Sequence, residues 1–324
     1  MKNISGNISS IIDLINDPFG FSYDEISPIL GEDDAKALYV RLYRGGLLKK
    51  PHTIWVQNII SATDAKKYLF ELSDGKRIET VCIKRKTGVT ACVSAQVGCP
   101  VQCIFCASGR PGHIRNLTAS EIVQQIIFLR EPINRIVFMG IGEPLYNYDS
   151  VLKSIHILRD RNGLDFPTDG ITVSTVGPIK LLKQLREEHL KIQLTLSLHA
   201  ATQEVRNYLI PGMKGNDINQ TVEAALDYSR RHNRKLTVAY LVLPGINNAY
   251  TDARQLAAWF AQEKVMINLL EYNPTPQSTL KKPAKQEIER FKNHLERLGL
   301  ETHIRVSHGN AIQAACGQLA GAIR

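Results

Sequence analysis

The sequence predicts an α/β protein: a partial (β/α)6 barrel with a small N-terminal helical domain and a β-hairpin extension. Three observations predict it. From about residue 91 onward, short β-branched runs alternate with helical stretches, the signature of a parallel sheet covered by helices. About six such units occur, which makes the barrel partial or open. Ahead of them lie one segment with helix signals and one with strand signals, giving the division 1–50 helical, 51–90 short strands, 91–310 barrel and 311–324 tail.

In the first segment, Ser22 followed by Glu25 is a capping-box pattern ahead of an apolar-periodic run. A second helix fits 33–43, with Leu38 and Leu42 on one face and a stop at Gly45-Gly46. In the second segment, strands are expected at 54–56, 67–72 and 77–84, and Asp74-Gly75 between the last two signals a hairpin. The barrel strands are expected at 91–97, 135–139, 170–175, 191–198, 235–243, 266–270 and 301–306. The covering helices are expected at 118–130, 150–161, 178–188, 219–231, 251–262 and 285–298.

Composition is that of an ordinary globular chain: 324 residues, 44% hydrophobic and 22% charged. The first residues have no basic segment followed by an apolar core, and no apolar run approaches ~18 residues. Neither a secretory signal nor a membrane span is expected, and the predicted setting is cytoplasmic. Six cysteines in this length do not make a disulfide scaffold, and reduced thiols are expected. The formal net charge is +9. Residues 1–50 carry six Lys/Arg and seven Asp/Glu, so the excess lies beyond residue 50, in clumps such as Lys84-Arg85-Lys86 and Arg230-Arg231. Each clump alone reads as a solvated face. The total favours a polyanionic partner, of which nucleic acid is the usual one.

The most informative stretch is Cys99-Pro-Val-Gln-Cys103-Ile-Phe-Cys106. Three thiolates on one loop can bind metal without help from distant parts of the chain. Structural zinc favours paired C-x2-C units and a fourth ligand. Iron–sulfur clusters are held by cysteine thiolates, normally four, so three would leave one iron open for chemistry. The bland alternative is three small buried hydrophobes. Gly98 and Pro100 argue against it, because they break regular structure where the cysteines gather. The C-x3-C-x2-C loop, with Phe105 before its last cysteine, resembles the signature of the radical S-adenosylmethionine (SAM) enzymes. That resemblance implies a radical SAM barrel and one 4Fe-4S cluster per chain on Cys99, Cys103 and Cys106.

In such a barrel the chemistry sits at the C-terminal ends of the strands. Gly140-Ile-Gly142-Glu143-Pro144 follows the second strand, Ser174-Thr175 ends the third, Ser197-Leu-His199 ends the fourth and Tyr272-Asn273-Pro274 follows the sixth. Glu143 can set a carboxylate beside a ligand ammonium, with Gly140 and Gly142 allowing close backbone approach. Ser174, Ser197, His199 and Asn273 are neutral donors and acceptors suited to ribose hydroxyls and a carboxylate. Each taken singly also reads as a strand-end cap, and His199 also as a packed core histidine.

Further motifs resemble one subfamily, the RlmN/Cfr adenosine RNA methyltransferases: E-T-V at 79–81, C-V-S-A-Q-V-G-C-P at 92–100, R-N-L-T at 115–118, G-I-G-E-P-L at 140–145, S-L-H-A at 197–200, L-P-G-I-N at 243–247, Y-N-P at 272–274 and A-A-C-G-Q-L at 314–319. The resemblance implies a scheme that uses two SAM molecules per turnover. Cys316 takes a methyl from one SAM. A second SAM is cleaved to a 5′-deoxyadenosyl radical, which removes a hydrogen from the S-methyl group, and the methylene radical adds to the electron-poor C2 of adenine. Glu79 removes the C2 proton, and Cys92 releases the product through a transient disulfide with Cys316. Cys92 is read at the start of the first strand, and Cys82 as structural. The tail must then fold over the barrel mouth. The implied substrates are an adenosine in 23S ribosomal RNA and one in the anticodon loop of transfer RNA, with residues 1–50 contacting RNA. A donor such as flavodoxin supplies the electron, and a monomer is expected. Three departures are visible: Ile141 stands where many members have Met, residues 1–50 lack the F-R-A-x-Q entry to the family's RNA-binding domain, and the stretch between Cys106 and Gly140 is short. Competing readings are C8 methylation of the Cfr type, a radical SAM enzyme on a non-RNA substrate, and a zinc-holding RNA-binding protein.

Overall fold

The computed structural model describes residues 2–44, 53–275 and 278–320. The chain opens with three helices: α1 (Lys2–Asn16), α2 (Tyr23–Leu30) and α3 (Glu32–Tyr43). The expected cap is present, with the Ser22 backbone N–H donating to Glu25 Oε2 at 2.8 Å. Helix α1 was not anticipated. The predicted stop at Gly45-Gly46 lies outside the described residues. Tyr39 and Tyr43 are buried, whereas Leu38 is only partly covered. Arg44 donates to the Gly163 and Arg161 carbonyls at 2.7 and 2.6 Å, and Lys153 pairs with Glu25 at 2.8 Å. These contacts fix the helices against the segment around residues 153–163.

Strands β1 (Ile54–Ser61), β2 (Ala65–Leu72), β3 (Arg77–Arg85) and β4 (Gly88–Cys92) form an antiparallel meander. The β2–β3 hairpin turns at Asp74-Gly75 as expected; Gly75 has φ +76°, which favours glycine, and its N–H reaches Leu72 O at 2.9 Å. Strand β4 belongs to both parts of the fold, being antiparallel to β3 and parallel to the next barrel strand.

The expected strand at 91–97 is two elements. β4 ends at Cys92, and β5 (Gln96–Gly98) pairs instead with β6 (His113–Asn116) in a separate two-stranded sheet. Between them Ser94 is captured by side chains and carbonyls: its N–H donates to Gln125 Oε1 at 2.9 Å and its hydroxyl to Glu79 O at 2.6 Å. Those bonds take the place of a strand partner. Cys92 is therefore at the C-terminal end of the first barrel strand, not at its start, and that end is where the site forms.

The barrel continues as α4 (Ala119–Phe128), β7 (Ile133–Phe138), α5 (Tyr148–Arg159), β8 (Ile171–Thr175), α6 (Ile179–Glu187), β9 (Gln193–Ser197), α7 (Gln203–Leu209), α8 (Ile218–His232), β10 (Leu236–Val242), α9 (Tyr250–Phe260), β11 (Val265–Glu271), α10 (Lys285–Arg297) and β12 (Thr302–Arg305). The sheet order is β1-β2-β3-β4-β7-β8-β9-β10-β11-β12, parallel from β4 onward. Among the described residues six helical crossovers join seven parallel strands, an open (β/α)6 arrangement. Each anticipated helix falls within two residues of its expected ends, because start signals such as the Thr118/Glu121 capping box are local; Glu121 N–H donates to Thr118 Oγ1 at 3.1 Å. The missed helix α7 is only seven residues long, too short to show a period. No described helix is long and apolar enough to cross a membrane.

Candidate active site

Fixed strand ends and one return loop make the site. A cavity of about 170 Å³ at the C-terminal ends of the parallel strands is lined by Cys99, Cys103, Cys106, Gly142, Glu143, Ser174, Ser197, His199, Asn273 and Cys316. Ten of the twelve residues singled out in the sequence thus meet there. Cys92 lines an adjoining cavity of about 60 Å³ together with Cys106, Asn273 and Cys316. Glu79 lines neither.

The cysteine loop is held from below by the helix that the sequence did not reveal. Ile104 N–H donates to Leu209 O at 3.1 Å, and Gly212 N–H to Val101 O at 2.9 Å. Its own turn closes with Cys106 N–H on Cys103 O at 3.1 Å. Burial pushes all three thiols up: Cys99 to about 12, Cys103 well above its ordinary value with its two neighbour thiols adding to the effect, and Cys106 against the downward pull of hydrogen bonds from Ser108 and Gly109. Among the described residues, no three Cys, His, Asp or Glu groups converge as a single metal ion would require. The donor set is thiolate-only, which suits iron–sulfur ligation.

Glu143 is almost fully buried, and its carboxylate is pinned from one side. Oε1 accepts from Thr175 Oγ1 at 2.6 Å and from Leu145 N–H at 3.1 Å; Oε2 accepts from Val176 N–H at 2.9 Å. Burial lifts it to about 7, against the downward pull of these donors. Three of roughly four acceptor positions are used, so Oε2 retains one for a ligand cation. A Cβ on Gly140 would lie 2.6 Å from Val93 O, so only glycine lets the second strand turn beneath this carboxylate.

Ser174 and Ser197 hydroxyls are 3.1 Å apart. His199 is held with φ +57°, and its Nδ1 accepts from Leu241 N–H at 3.0 Å, which leaves the proton on Nε2. Burial, then the Arg206 charge, pushes its pKa down to about 3, so it is a neutral donor. Its ring meets Phe105 edge-on at 5.0 Å.

Arg206 is the functional candidate that sequence reading missed. It is wholly buried on α7. Its guanidinium donates to Leu198 O at 2.6 Å and to Val176 O, while Nε has no partner among the described residues. Burial lowers it to about 10, against the pull of Cys103 and Glu143. A fixed cation thus stands behind the cysteine loop and Glu143. The only signal was its spacing of three from the apolar Leu209, which puts both on the packed face of α7.

The tail folds over the mouth. Ala107 N–H donates to Gly317 O at 2.7 Å, Ser108 Oγ to Leu319 O at 2.6 Å and Asn273 Nδ2 to Cys316 O at 3.3 Å. Asn273 is therefore partly committed to the tail. Glu79 is buried under the tail's end, accepting from Ala320 N–H at 2.8 Å and pairing with Lys67 Nζ at 3.0 Å. Cys316 is exposed at the rim and Cys92 is buried. Burial, then Cys316, pushes the Cys92 thiol to about 12. All six cysteines are free thiols here.

A family model described as the radical SAM superfamily matches residues 93–257. A "Probable RNA methyltransferase" of Rhodopseudomonas palustris is 53% identical over 255 residues, covering 79% of this chain and 71% of that one. A "Probable dual-specificity RNA methyltransferase RlmN" of Pseudothermotoga lettingae is 43% identical over 282 residues, covering 84% and 82%. The crystal structure of a radical SAM methyltransferase from Sphaerobacter thermophilus superposes with a TM-score of 0.88 at 30% identity, covering 94% and 98%. Streptococcus suis SuiB bound to S-adenosylmethionine, 14% identical with a TM-score of 0.51 over 69% of this chain and 55% of that one, shares the fold.

Proposed function

We propose the reaction from one premise, which these relatives establish: the chain belongs to the RlmN-type radical SAM RNA methyltransferases. It is a SAM-dependent enzyme that methylates adenosine in RNA, at C2, in 23S ribosomal RNA and in transfer RNA. Cys99, Cys103 and Cys106 would hold a 4Fe-4S cluster, with Arg206 balancing thiolate charge from behind. The cluster and SAM, when bound, supply the one-electron chemistry that generates the hydrogen-abstracting radical. Glu143 Oε2 takes the SAM ammonium, and Ser174, Ser197, the His199 Nε2–H and Asn273 serve its carboxylate and ribose. Cys316 carries the methyl as a thioether. Cys92, buried and protonated at rest, gives up its proton and attacks that sulfur after addition to the base; the disulfide forms as the bond from the Cys316 sulfur to the transferred carbon breaks, and that carbon keeps the electron pair and takes up a proton to become the methyl group. Glu79 moves the C2 proton when the tail shifts, since its carboxylate is otherwise tied to Ala320 and Lys67. A flavodoxin-type protein donates the electron to a cytoplasmic monomer.

The observation that carries this reading is the position of Cys316, strapped across the mouth on one cavity wall with Cys106 and Cys92. On a non-RNA reading Cys92, Cys316 and Glu79 are left without roles. The test is mass spectrometry of nucleosides from both RNAs after incubation with reconstituted enzyme, SAM and reductant. 2-Methyladenosine is the expected product. 8-Methyladenosine would move the protein to the C8 branch. Cleaved SAM with no methyladenosine would refute the RNA reading.

A further inference from the structure

Below the catalytic cavity the barrel is not filled. Interiors of this kind are normally packed with branched apolar side chains. Here a second space of about 430 Å³ is lined by Thr90, Thr172, Thr195, Thr237 and Asn268 from five strands. Side chains two residues apart share a face of a strand. Thr172 therefore lies directly under Ser174, Thr195 under Ser197 and Thr90 under Cys92, and the space continues the catalytic cavity downward. Met139 and Arg305 line both.

Three guanidiniums face this space: Arg305, half-buried at the junction, and Arg85 and Arg135, exposed at the open end. Arg77, Arg115, Arg186, Arg230 and Arg234 all have carboxylate partners. Among the described residues, none of Arg85, Arg135 and Arg305 does, and no carboxylate lines the space. His308, the remaining basic side chain there, is already paired with Asp64 at 3.1 Å. Desolvation of its guanidinium first, and then the charges of Arg305 and Arg135, hold Arg85 below its ordinary value. Like charges gathered on a polar, unfilled wall are relieved by an anion.

We propose that Arg85, Arg135 and Arg305 form a phosphate subsite that grips the RNA backbone beside the target adenosine, with the base directed upward past Met139 to Cys316. The inference rests on the RNA reading above and names how that site takes its substrate. The RNA enters from the open lower end of the barrel, the ribose lies along the threonine layer, and the phosphodiester sits between the arginines. Arginine suits that role because its fork matches phosphate oxygens.

The test is binding of an RNA stem-loop carrying the target adenosine to the reconstituted full chain, measured across salt concentrations. Removing one phosphate contact makes the slope of log K against log salt shallower by about 0.7 to 0.9. The double variant R85Q/R135Q is expected to show that shallower slope and roughly tenfold weaker binding at low salt, while R85K/R135K, which keeps both charges, retains most of the slope. Iron content and circular dichroism show that each variant is folded and loaded. A wild-type slope and affinity in the double glutamine variant would overturn the proposal, leaving both arginines as solvated surface groups. Binding of adenosine 5′-monophosphate with the affinity of the RNA would also overturn it, in favour of a free nucleotide. If wild-type enzyme forms no methyladenosine, the RNA reading itself fails; if it methylates RNA and the slope does not change, only the subsite fails.

Discussion

Thr175→Val is a near-isosteric change that removes one donor from Glu143. The lost bond, from Thr175 Oγ1 to Oε1 at 2.6 Å, is buried and charge-assisted. Such bonds contribute about 1.5 to 3 kcal/mol, and 1.36 kcal/mol corresponds to one pH unit in a midpoint. Glu143 already ionises only at about 7, because burial outweighs its donors. Without Thr175 its midpoint should rise by about 1.5 pH units, to roughly 8.5. The sign follows: a raised carboxyl is charged only above its midpoint, and only the charged form holds an ammonium. SAM affinity in the wild type should therefore increase as pH rises through about 7. In Thr175→Val the same rise should come near 8.5, and at pH 7.5 the ionised fraction falls roughly eightfold. Isothermal titration of SAM into reconstituted enzyme from pH 6 to 9 reads both curves. Coincident curves would refute the assignment of Glu143 to the ammonium.

Cys316→Ala should keep the iron and abolish RNA methylation, whereas Cys92→Ala should leave protein covalently attached to RNA; iron analysis and denaturing gels check both, and clean turnover by either variant would contradict its role. Glu79→Gln keeps an acceptor for Ala320 N–H, so the tail should stay docked by limited proteolysis while the RNA adduct accumulates for want of a base. Arg206→Lys replaces a fork whose two nitrogens reach the Leu198 and Val176 carbonyls separately with a single ammonium, and should cost about 1 to 3 kcal/mol in urea unfolding; a change below about 0.5 kcal/mol would show that the fork geometry contributes little.

The legible parts of this protein are those whose signals are local. The C-x3-C-x2-C loop, the strand-end polar residues and the capping pattern at Ser22 depend on near neighbours, and each stands where it was expected. The break after Cys92 was not legible, because it is made by Gln125, 31 residues further on, through Ser94. Nor was α7 with Arg206, whose value comes from carbonyls on two other strand ends.

The sequence by itself determined the alternation of strands and helices, the thiolate triplet and the family, because periodicity and motif spacing are properties of short windows. Only the tertiary structure decided that Cys316 lies over the mouth, that Glu79 is tied to the tail, and that Arg85, Arg135 and Arg305 share one wall. Those facts arise from closing loops of up to about 240 residues. Their geometry is set by the register of ten strands and the curvature of the sheet, and no local pattern of residues encodes either.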